Sequence, residues 1–83
     1  MAETAPPKLV VALCRALVEA TASRRSAYWL SIDGVRETLG VTLEELNEAL
    51  AYAIPAGLVR ADGVPARSLT VTYDGIELAR GER

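Results

Sequence analysis

A chain of 83 residues with 51% apolar and 24% charged side chains is read as one globular domain. It is large enough to fold without metal or disulfide staples, and small enough that covering surface with a second copy would stabilise it. A formal charge of −2 gives no global pull toward a polyanion, so any nucleic-acid surface must be local. The single cysteine excludes an internal disulfide, and the lack of histidine removes His-based acid, base and nucleophile relays together with the usual Zn sites.

Residues 1–6 and 81–83 read as loose tails on a domain spanning 7–80. No stretch approaches about 18 uninterrupted apolar residues. The apolar run 9–17 is broken by Arg15 and lacks a basic leader or a small-residue cleavage pattern, which predicts a cytoplasmic protein with no membrane contact.

The first helix is predicted from Pro7, tolerated in a first turn because its missing N–H has no intrahelical partner there, to about Thr21 or Ser23. At ~100° per residue, Lys8, Ala12, Arg15, Glu19 and Ala22 gather within roughly 80°, leaving Leu9, Val10, Val11, Leu13, Cys14, Ala16, Leu17 and Val18 around the rest. That apolar arc is wider than one core contact needs. It fits either a central helix packed on both sides within one chain or a dimerisation helix that presents Val10, Cys14 and Val18 to a second copy.

Ser23, Arg24, Arg25 and Ser26 form a polar break, after which residues 27–30 have the aromatic content of a short strand, with Trp29 expected in the core against a later hairpin. Ser31 then caps a second helix from Ile32 to Leu39, closed by Gly40. Thr42 and Glu45 form a capping box that starts the third helix at Leu43. Its apolar face is Leu43, Leu46, Ala49, Leu50, Ala53 and Ile54; Glu44, Glu45, Asn47, Glu48, Ala51, Tyr52 and Pro55 fall opposite. Pro55 cannot bond Ala51 and disfavours helical geometry at Ile54, so the helix should end before Gly57. Residues 58–61 and 67–72 read as a hairpin around a 62–66 loop, with Ser68, Thr70 and Thr72 alternating against Leu69 and Val71. Residues 74–80 could add a last helical turn or two, despite Gly75.

Three phrases in order carry a likeness: Leu39-Gly40-Val41-Thr42, then Glu48-Ala49-Leu50 with Ala56-Gly57-Leu58-Val59, then Val71-Thr72-Tyr73-Asp74-Gly75-Ile76-Glu77-Leu78-Ala79. Over residues 9–79 the chain resembles the winged helix-turn-helix superfamily, and its last phrase is similar to the Leu-Thr-x-x-Gly-x-x-Leu-Ala close of MarR-like and PadR-like bacterial regulators. The resemblance implies a mostly α, α/β fold with a three-helix core and a small antiparallel sheet whose hairpin is the wing. Arg36 departs from that pattern, standing where a small residue usually follows the inward Leu of the second helix. Its stem must snorkel past the second and third helices if the alignment holds there.

The resemblance implies a DNA-binding, transcription-associated module working on double-stranded DNA as a homodimer. Thr42, Asn47 and Ala51 would approach bases, and Arg60, Arg67, Arg24 and Arg25 would meet phosphates. Against it stands charge: residues 31–56 hold one positive and five negative side chains, and Glu44 and Glu48 sit beside Asn47. The alternative is a protein-interaction winged helix that docks a protein partner on Glu44, Glu48, Tyr52 and Pro55 without DNA. Nothing in the chain suggests an enzyme, a cofactor or a metal. The carboxylates lack a pocket or ligand alternation, and Cys14 has no histidine to activate it.

Overall fold

The computed structural model describes residues 7–22, 29–63 and 65–81. Along the chain run α1 (Lys8–Ala22), β1 (Leu30–Ser31), α2 (Ile32–Leu39), α3 (Leu43–Ala53), β2 (Val59–Asp62), β3 (Ser68–Val71) and α4 (Tyr73–Ala79). The strands form one antiparallel sheet in the order β1-β3-β2. Leu30 pairs with Leu69, and Val59, Arg60, Ala61 and Asp62 pair with Val71, Thr70, Leu69 and Ser68. The result is a mostly α winged-helix arrangement: α1, α2 and α3 make the core, and the β2–β3 hairpin is the wing.

Local chemistry sets the boundaries of the middle helices. Ser31 Oγ accepts from the Gly34 amide at 3.0 Å and starts α2, which stops where Gly40 takes φ +66 and its N–H returns to the Arg36 carbonyl. At α3, Thr42 Oγ1 accepts from the Glu45 amide at 3.1 Å while Glu45 Oε1 accepts from the Thr42 amide at 3.0 Å. The helix ends at Ala53, ahead of Pro55.

Helix α1 is the centre of the molecule, packing against α2, α3, β3 and α4. Its wide apolar arc is therefore met largely within one chain, which corrects the dimer contact expected of Val10 and Cys14. Val10 and Cys14 are 0% exposed, on a helix that four other elements surround. Val18 is half-buried.

Four other positions differ from the sequence reading. Trp29 lies outside β1 and is 44% exposed: Leu30 is the residue packed on the core, and strand alternation turns its neighbour away. Leu43 and Ile54 are also exposed, because the core takes only the narrow side of α3 that carries Leu46, Ala49, Leu50 and Ala53. Thr70 is buried like its neighbour Leu69, so the alternation expected along β3 does not hold there. The expected strand at residues 27 and 28, and the arginines Arg24 and Arg25, lie outside the described residues.

Thr72 joins the hairpin to α4. Its hydroxyl lies 2.6 Å from the Gly57 carbonyl and 3.0 Å from that of Leu58, its amide donates to Leu58 O at 3.1 Å, and its oxygen accepts from the Gly75 amide. One side chain thus caps α4 and fastens it to the turn after α3. Thr72→Ala is expected to lower stability by about 1–2 kcal/mol in urea titration.

Candidate nucleic-acid interface

The solvent side of α3 carries Glu44, Glu45, Asn47, Glu48, Ala51 and Tyr52, all exposed. On a helical wheel of ~100° per residue, Leu43 and Asn47 lie on one flank of the buried stripe, and Glu44 and Glu48 lie roughly 60–100° farther round. The flank with Asn47 is the one that faces the wing.

A groove of about 390 Å³ runs between that flank, the start of α2 and the wing, and is lined by Ile32, Asp33, Arg36, Leu43, Asn47, Pro65 and Arg67 among others. A main-chain hydrogen bond holds its two sides together, Ile32 N donating to Arg67 O at 3.0 Å, and Arg67 N donates across the wing to Asp62 O at 2.7 Å. The backbone of Arg67 is thus pinned while its side chain is exposed at the groove. Arg36 enters from α2 with its side chain 38% exposed and Nη1 3.7 Å from Asp33 Oδ1. Its Nε is buried without a hydrogen-bond partner. Arg36 is thus partly covered, Nε included, while it lines the groove.

Of the residues expected to meet DNA, Asn47 and Arg67 come together here. Arg60 is exposed on β2 opposite Thr70, outside the groove lining. Thr42 is committed to the capping box, its oxygen held by the Glu45 amide, so its hydroxyl is fixed at the helix start. The interaction face is open: Tyr52 is 38% exposed, and Pro55, Glu44 and Glu48 are exposed.

The groove also holds residues that sequence reasoning did not assign to it, namely Arg36, Leu43 and Pro65. Arg36 had been visible only as a departure from the family pattern. Its spacing one turn after Ile32, on a helix whose first residues meet the wing, was the signal that could have placed it.

Cys14 is buried on α1, and burial pushes its thiol from the ordinary 9.0 up to about 11. The raised value has a defined consequence for stability. Below pH 9 both folded and unfolded chains carry the neutral thiol; above it the unfolded chain loses the proton first. Stability is therefore expected to fall between pH 9 and about 11, by at most about 1.4 kcal/mol per pH unit, and Cys14→Ser should flatten that part of the profile.

Among the described residues, no group of three or more His, Cys, Asp or Glu side chains is placed to hold a metal ion, and no helix is long and apolar enough to cross a membrane. No family model, curated protein or solved structure matches the chain.

Proposed function

We propose that this protein is a small DNA-binding, transcription-associated winged-helix module with a cytoplasmic location, and that it seats a duplex along the groove between α3 and the wing. The observation that carries this reading is the convergence of Asn47, Arg36 and Arg67 on one groove. An amide able to bond adenine bidentately stands there beside two guanidiniums suited to phosphate oxygens. Glu44 and Glu48 lie around the helix from the Asn47 flank, so the acid of α3 borders the groove, and the one carboxylate in its lining, Asp33, lies 3.7 Å from the Arg36 guanidinium.

Fluorescence anisotropy with a random-sequence duplex tests the reading. Binding should be measurable at ~50 mM salt and fall steeply toward ~200 mM. Arg67→Gln should weaken it and reduce the salt slope by about one unit, whereas Asn47→Ala should leave the slope unchanged because a base contact releases no counterion. Glu44→Gln with Glu48→Gln should raise affinity through lost repulsion. No binding at ~50 mM salt would overturn the proposal.

A second reading draws on a separate observation. Tyr52 and Ile54 are exposed near Pro55 at the end of α3, and Tyr73, at the start of α4, is 75% exposed. Exposed aromatics rimmed by Glu48 fit a protein-docking face, for which Tyr52→Ala should cost more than ~1 kcal/mol in partner affinity while DNA binding stays absent.

A further inference from the structure

Leu43 is an apolar side chain that the core leaves out. It opens α3, is 46% exposed and lines the groove beside the wing, whereas the buried stripe of the helix is Leu46, Ala49, Leu50 and Ala53. We infer that Leu43 reads the 5-methyl group of thymine, so that the groove selects duplex carrying A·T pairs over G·C duplex. The inference rests on the groove seating DNA, and it goes beyond that reading by naming the bases selected and the residue that selects them.

Leu43 and Asn47 are one helical turn apart, which sets them on one flank of α3 about 6 Å from each other along the axis, and both line the groove. Successive bases along a strand are about 3.4 Å apart, so the two side chains meet base pairs one or two steps from each other. The Asn47 amide matches the N6 donor and N7 acceptor of adenine. Leu43 has no polar atom to offer, and the 5-methyl of thymine is the one apolar group that a standard base pair presents in the major groove. Against a G·C pair the same leucine would cover the cytosine amino group or the guanine acceptors without bonding them, which costs free energy. Neighbouring A·T pairs therefore satisfy both residues at once. The Thr42–Glu45 capping box fixes the first turn of α3, so Leu43 is presented on a held backbone. Arg36 and Arg67 enter the same groove from α2 and the wing, where phosphate contacts position a duplex without reading its sequence.

Anisotropy titrations at ~50 mM salt with three labelled probes test it: a mixed-order duplex of A·T pairs, the same duplex with every thymine replaced by uracil, and a G·C duplex. Uracil removes the methyl and keeps the pairing. The wild-type chain should bind the thymine probe about fourfold more tightly than the uracil probe, the value of one buried methyl, and should bind the G·C probe more weakly than the thymine probe. Leu43→Ala should bind the thymine and uracil probes equally while its salt slope stays unchanged, because no phosphate contact is lost. Arg67→Gln should weaken binding to all three alike and keep the thymine preference. Leu43 is exposed, and circular dichroism should show the alanine variant folded. Salt-dependent binding with equal affinity for thymine and uracil, or a thymine preference that survives in Leu43→Ala, would overturn the inference and leave DNA binding standing. No binding to any probe would overturn both.

Discussion

Gly75→Ala is expected to remove about 3 kcal/mol of stability, read as a drop in the urea midpoint of roughly 2–3 M for a chain of this size. Alanine is intrinsically the better helix former, by about 1 kcal/mol, so the sign is set by space. A Cβ at Gly75 would collide with the Leu58 carbonyl oxygen and stand 2.6 Å from Val71 Cγ2. The carbonyl cannot step aside freely, because it accepts from the Thr72 amide and lies within reach of the Thr72 hydroxyl. Gly34 supplies the comparison: a Cβ there would meet only the Ser31 hydroxyl at 3.1 Å and the Leu30 side chain at 3.5 Å. Gly34→Ala should change stability by less than about 1 kcal/mol. Similar losses in the two proteins would contradict the account of how α4 docks.

The second large effect belongs to the core. Leu13→Ala is expected to cost about 3–4 kcal/mol, because Leu13 is fully buried on α1, the helix with α2, α3, β3 and α4 around it. Neighbours held from several sides cannot collapse into the space left behind. Against a total stability of about 4–12 kcal/mol for a domain of this length, the variant should be partly unfolded near physiological temperature. Calorimetry should show a melting temperature lowered by roughly 15 °C or more. A cost below about 1.5 kcal/mol would mean that α1 is not the centre of packing.

The middle of the fold was legible because its signals are local. Ser31, Gly40, the Thr42–Glu45 capping box and Pro55 each act within a few residues of the boundary they mark, and α2 and α3 start and stop where they require. The partners of α1 were not legible in the same way. Its wheel shows how wide the apolar arc is but not how many elements meet it, and α4, a short helix around a glycine, packs on α1 together with α2, α3 and β3. Trp29 illustrates the limit of composition: an aromatic beside a strand suggests core, whereas alternation from Leu30 turns it outward.

The candidate groove was half legible. Asn47 and Arg67 were chosen for chemistry and position within a resemblance, and they line one surface. What joins them is a long-range backbone bond from Ile32 to Arg67, which no local pattern announces. The same bond brings Arg36 into the groove, so the feature that strained the alignment becomes part of the surface that supports the functional reading.

The most direct test of that reading is a duplex titration followed by amide chemical shifts of the labelled protein at ~50 mM salt, where the phosphate contribution is largest. The account predicts that the largest shifts gather on residues 31–36, 43–47 and 66–67, along both walls of the groove, and that Arg67→Gln diminishes them. Shifts confined to Tyr52, Ile54 and Tyr73, or no shifts at all, would contradict it.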